Sequence, residues 1–256
     1  MKLVFEFTKT GDMIFISHLD LSRLLLRVLR MSGLRPAYSR GFNPHPKMSF
    51  ALPLALGLHS TCELLEFETE TDTGVFNITG TKQLFKTDKE SGTATGNRAS
   101  ANPAGVIGLV NERLPEGIRV TACREKPDDV PKSYASYVTA ARYEFLCNGV
   151  TDAPGKLAAF FMKESVVIKK QDKKTGEETR QEVRPLMLDY RIIKDLRGSM
   201  LAEATLSAAP GRTLGPAAFF GAFYEASGIP AEGVLPVITR TAILGADGAP
   251  LSGCYA

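Results

Sequence analysis

The densest group of chemically capable side chains is the segment Tyr38-Ser39-Arg40-Gly41-Phe42-Asn43-Pro44-His45-Pro46-Lys47. Two prolines pin the backbone around His45, so the loop can present His45, Asn43 and Lys47 with little entropy lost on binding, while Gly41 permits close approach or positive φ. A rigid crossover that only guards a sheet edge is the plain alternative. Basic and hydrogen-bonding side chains coincide with the rigidity, which favours a binding loop. Upstream, His18 falls in the first turn of an expected helix, where the helix dipole disfavours imidazolium and leaves a neutral ring able to accept a proton. His18 and His45 together have the makings of acid–base RNA cleavage. A histidine that simply packs and donates to a carbonyl is the commoner fate. Finally, Arg23, Arg27 and Arg30 recur at i, i+4 and i+7 and share one helix face. A solvated face and an anion-binding or partner-binding face are equally expected there, because no acid stands on it at i,i+4 spacing.

These side chains depend on the elements around them. Leu3 to Phe7 reads as a strand followed by the turn signal Lys9-Thr10-Gly11-Asp12, and Met13 to Ile16 is expected to extend or pair with it. Ser17-x-x-Asp20 is a capping-box variant that starts a helix carrying Leu21, Leu24, Leu25, Val28 and Leu29, and Gly33 stops it. Met48–Leu52 and Glu63–Glu68 follow as an antiparallel pair of strands. Residues 73–102 have the Gly, Thr, Ser, Lys and Asn content of a mobile insertion. Val106, Ile107, Val110 and Leu114 restore helical spacing, and Ile118–Cys123 is the next strand.

Past a linker at Lys126–Lys132 the order recurs. Strands are expected at Tyr137–Cys147, Met200–Leu206 and Val234–Leu244, with helices at Gly155–Glu164 and Pro216–Ser227. A projecting hairpin around Lys173-Lys174-Thr175-Gly176 leads into a strand at Val183–Ile193. The expected fold is therefore α+β, two tandem ferredoxin-like (β-α-β-β-α-β) domains with antiparallel sheets, at 1–126 and 133–244, with a tail at 245–256.

Composition narrows the function. Of 256 residues, 44% are hydrophobic and 23% charged, enough apolar matter for a real core and too much for wholesale disorder. No apolar run approaches the roughly 18 residues of a membrane span, and Glu6 interrupts any signal-peptide region, so a cytoplasmic protein without membrane contact is expected. Between His18 and Lys47 lie six of the 31 basic residues and one of the 28 acids, so the net charge of +3 is carried by this stretch. An anionic partner such as RNA follows. The four cysteines, Cys62, Cys123, Cys147 and Cys254, show no metal-ligand spacing and no triplet for an iron–sulfur cluster, so no metal and no cofactor are expected. Phosphate-loop, dinucleotide, zinc-protease and hydrolase signatures do not occur.

Ile16-Ser17-His18-Leu19-Asp20, the arginine helix and Tyr38-Ser39-x-Gly41-Phe42-Asn43-Pro44-His45-Pro46-Lys47 together resemble the bacterial radical-SAM-linked protein family, a domain of unknown function. Its members look like a chain encoded beside a radical SAM protein or an extension fused to one. The resemblance covers residues 2–70 and Asn111–Val120, including Leu114-Pro115-Glu116-Gly117, and is looser past Pro131; the 73–102 insertion departs from it. It implies a radical SAM protein as partner.

The preferred expectation is a non-catalytic RNA-binding or substrate-presenting accessory protein. Arg23, Arg27, Arg30, Arg40 and Lys47 would hold phosphates, and Asn43 and His45 would orient the substrate. Two alternatives are an RNA-cleaving or RNA-modifying enzyme using His18 and His45, and a protein-docking adaptor. All three assume that the proline-braced loop and the arginine face form one concave surface.

Overall fold

In the first strand, β1 (Lys2–Lys9), Leu3, Phe5 and Phe7 enter one core cluster and Val4 another. A strand that is apolar on both sides belongs inside a sheet. β1 accordingly lies between β3 (His59–Glu68) and β4 (Ile118–Glu125), antiparallel to both. The structure, a computed structural model, describes residues 1–70, 103–127, 130–148, 150–171, 176, 178–196, 199–228 and 236–252. The expected insertion at 73–102, the hairpin turn at 172–175 and Cys254 lie outside these residues.

The segment expected to extend β1 instead forms a 3-10 turn at Gly11–Phe15. Its cause is local: Gly11 adopts φ +55, and the Lys9 ammonium, buried beneath the turn, donates to the carbonyls of Ile16 (3.1 Å) and Ile14 (3.4 Å). The chain then enters α1 (His18–Met31), capped by Ser17, whose Oγ accepts from the Asp20 N–H at 3.2 Å. Gly33, at φ +79, ends the helix in a Schellman turn, with Gly33 N–H donating to Arg30 O and Leu34 N–H to Leu29 O. Leu21, Leu25, Val28 and Leu29 pack onto β1, β3, β4 and α2 (Pro103–Asn111). β2 shrinks to Met48–Phe50, pairing antiparallel with the end of β3.

The second half contains β5 (Ala140–Asn148), α3 (Ala153–Phe161), β6 (Val167–Gln171), β7 (Glu178–Glu182), β8 (Met187–Leu196), β9 (Ser199–Ala209), β10 (Arg212–Thr213), α4 (Pro216–Ser227) and β11 (Val237–Leu244). The strand expected at Val183–Ile193 is broken by a 3-10 turn at Arg184–Leu186, where Pro185 has no N–H for a ladder. β6 and β7 form a two-stranded sheet of their own, while β10, not expected from sequence, zips onto the end of β9. A phenylalanine-rich core, including Phe145, Phe160, Phe219 and Phe223, joins α3 and α4 to β5 and β9.

The halves do not keep separate sheets. One nine-stranded, mostly antiparallel sheet runs β10-β9-β5-β11-β3-β1-β4, with β2 also on β3 and β8 also on β9. The join is a short parallel contact, Thr239 opposite His59 and Arg240 opposite Ser60. Beside it, Arg240 and Glu63, each 1% exposed, form a buried ion pair with Nε–Oε1 at 2.9 Å and Nη2–Oε2 at 2.6 Å; Nη2 also donates to Leu52 O at 2.7 Å. Burial opposes the Arg240 charge, but the Glu63 carboxylate holds the guanidinium pKa above its ordinary value. Burial lowers the pKa of the neighbouring Lys9; Glu63 opposes that shift and the Arg240 charge adds to it.

The expected linker is packed as well. Lys126 reaches the Glu66 carboxylate at 2.7 Å and the Lys132 carbonyl at 2.7 Å, and Val130 and Tyr134 are buried. The start of the expected tail also folds back, with Leu251 N–H donating to Ile243 O after a turn at Gly248, φ +75. Among the described residues no helix is long and apolar enough to cross a membrane.

Candidate functional site

The loop between α1 and β2 is a narrow hairpin. Pro36 bridges to Thr69 and Tyr38 to Pro46, Lys47 N–H donates to Ala37 O, and Ser39 N–H donates to His45 O. The Ser39 hydroxyl accepts from the His45 N–H at 2.9 Å, closing the apex. Gly41, at φ +134, makes the bend that a residue with a Cβ would resist. Arg40, Phe42, Asn43 and His45 all project into solvent.

The helix meets this loop through Arg30. Its guanidinium hydrogen-bonds the Tyr38 hydroxyl and lies 5.6 Å from the centre of the Tyr38 ring. The last turn of α1 and the base of the loop are therefore one surface. The predicted cations on it are not equivalent. Arg23 pairs with Asp20 at 3.1 Å, an i,i+3 contact that the i,i+4 reading of the face overlooked. The Asp20 carboxyl is held low first by the Ser17 hydroxyl and then by Arg23. Lys47 is neutralised by Glu68 at 2.6 Å, which in turn pulls the Glu68 carboxyl below its ordinary value. Arg27 and Arg40 are exposed and make no ion pair among the described residues.

Concavity and charge do not coincide as expected. An open groove of about 800 Å³ lies at the base of the loop, lined by Tyr38, Lys47, Glu68, Glu70, Glu125 and Lys126 among others. Its lysines face carboxylates, so it is not a basic pocket. The uncompensated arginines, Arg27 and Arg40, stand on the exposed helix face and at the loop tip, outside this groove.

His18 is half-buried, with its ring edge-on to Phe50 at 4.7 Å and a buried Nδ1 that no hydrogen bond from the described residues reaches. Among the described residues no hydrogen bond joins it to His45. Cys62, Cys123 and Cys147 are buried free thiols, and burial pushes Cys62 up to about 11 and Cys123 to about 12. No group of three or more metal-ligating side chains occurs among the described residues.

Residues 2–83 and 94–216, which include this helix, loop and groove, match the family described as an uncharacterized protein conserved in bacteria (DUF2344). The chain belongs to this family. No curated protein matches it. A chain of a solved Cbf5–Nop10–Gar1 complex is similar over 94% of this chain at 8% identity, with a TM-score of 0.42, and this chain spans 48% of that one.

Within this family member, sequence reasoning located the loop and the arginine face but passed over Phe42, Tyr38 and Glu68. Phe42 carried a signal: an aromatic residue between Gly41 and Asn43, in a polar loop without alternation, has no core to enter. Glu68 carried none, because its pairing with Lys47 exists only in the register of β2 on β3.

Proposed function

We propose that this chain is a non-catalytic RNA-binding or substrate-presenting accessory protein that works in the cytoplasm with a radical SAM enzyme. The observation that carries the reading is the contact of Arg30 with Tyr38, which joins the basic helix face to the braced loop, the two elements on which Arg27 and Arg40 stand exposed without carboxylate partners among the described residues. Guanidinium groups without counter-charges are suited to phosphate oxygens, and a phosphate backbone can be held on an exposed face as well as in a groove. Arg27, Arg30 and Arg40 are the phosphate contacts in this reading, with Asn43 and His45 at the tip to orient a base or sugar. Arg23 and Lys47, already paired, contribute less. The partnership with a radical SAM enzyme rests on the resemblance carried by Ile16–Asp20 and the Tyr38–Lys47 loop.

We also infer that each half is a ferredoxin-like unit. Support comes from matching strand orders, β4-β1-β3-β2 in the first and β11-β5-β9-β8 in the second, with antiparallel neighbours throughout.

The test is RNA affinity as a function of salt. Three phosphate contacts give a slope of log K against log salt of about −2 for single strands, and Arg27→Ala/Arg40→Ala flattens it to about −0.7. Arg23→Ala changes it less. Salt-insensitive binding, or none, defeats the reading.

A further inference from the structure

Phe42 is 111% exposed, more open than in an isolated peptide, and no described side chain packs on it. A phenyl ring in water forfeits the burial that such rings ordinarily find. Here it is also held out by construction. The Tyr38–Pro46 bridge, the paired hydrogen bonds between Ser39 and His45, and the two prolines leave the tip little freedom to fold the ring back. Its neighbours are Arg40, unpaired among the described residues, with Asn43 and His45 exposed beside it.

We propose that Phe42 is a base-stacking residue, so that the ligand of this loop is single-stranded RNA rather than duplex; the inference rests on the RNA reading above. A nucleotide supplies what each tip side chain lacks: a π-face for the Phe42 ring, a phosphate for Arg40, and base edges for Asn43 and His45. A-form duplex offers no such face, because its bases are already stacked on one another and only its phosphates and minor-groove edge are open. An apolar protein pocket fits less well. Admitting the ring would draw Arg40, Asn43 and His45 out of water along with it, and each would then need a new partner. Pre-organisation by the braced hairpin keeps the ordering cost of stacking small.

The chain has no tryptophan, so Phe42→Trp introduces a single reporter at the tip. Phe42→Ala and Phe42→Trp are compared with the wild type for binding short single-stranded oligouridylate and a short RNA duplex. An unchanged melting temperature is expected for both variants, because the site makes no packing contact. The expected result is tryptophan quenching by the single strand and not by the duplex. Phe42→Ala should lose about 10-fold in single-strand affinity, with duplex affinity and salt slope unchanged. Arginine-dependent RNA binding with flat tryptophan emission and no loss in Phe42→Ala overturns the stacking role, leaves RNA binding standing, and points the ring to a protein pocket. Absence of RNA binding in the wild type overturns both.

Discussion

At the scale of single residues, the surface divides into cations with and without partners, and pH separates them. Glu68 accepts a hydrogen bond from Lys47 and lies close to Lys2, so its folded pKa sits below the unfolded value of about 4.5. A depressed carboxylate stabilises the fold above the unfolded pKa, and that contribution disappears as pH falls through the folded value. Lys47→Met is therefore expected to lower the unfolding free energy slightly near neutral pH, by less than about 1 kcal/mol because both groups are partly exposed. The difference from wild type should close in acid, and urea titrations at the two pH values measure it. Composition exposed the basic excess between His18 and Lys47, yet which cations stay unpaired was hidden from the sequence. Asp20 could be found by counting along the helix. Glu68 stands 21 residues from Lys47 and is reached only through strand pairing.

At the scale of elements, short-range signals were legible and long-range ones were not. The Ser17 cap, the Gly33 stop and the apolar stripe of α1 follow from chemistry within a few residues, and the structure places that helix where the stripe does. Met13–Ile16, expected to extend or pair with β1, instead lies largely in the 3-10 turn at Gly11–Phe15, because the stability of that turn comes from outside it. Lys9 holds its carbonyls from below, and Thr10 N–H donates to Gly117 O at 2.7 Å, across to the turn before β4. Gly117 sits at φ +90, where an added Cβ would lie 2.4 Å from the Thr10 carbonyl oxygen. Gly117→Ala is expected to cost about 1–3 kcal/mol through backbone strain and displacement of this turn. Ser17→Ala, which removes the cap and the hydroxyl bond to the Asp20 carboxylate at the start of α1 without straining the backbone, should cost about 1 kcal/mol. Chemical denaturation of the two variants ranks them, and the order should be Gly117→Ala below Ser17→Ala.

At the scale of the whole molecule, the repeated element order was readable in the sequence, but the continuous sheet was not, because a parallel contact of two residue pairs leaves no periodic trace. Its ion pair is the energetic hinge of the arrangement. Arg240→Leu strands the Glu63 carboxylate in the interior and is expected to cost about 3–5 kcal/mol, whereas Arg240→Leu/Glu63→Leu recovers much of that loss by removing both charges. Urea unfolding of the single and double variants checks the non-additivity.

The position of β11 also has a consequence for biogenesis. It follows every other described strand in chain order yet lies between β5 and β3, so the first half, emerging early from the ribosome, must wait with the His59 end of β3 uncovered until residues 237–244 have been translated. Stalling before that point would expose two strand borders at once, and nascent chains of intermediate length should therefore be the ones that recruit chaperones.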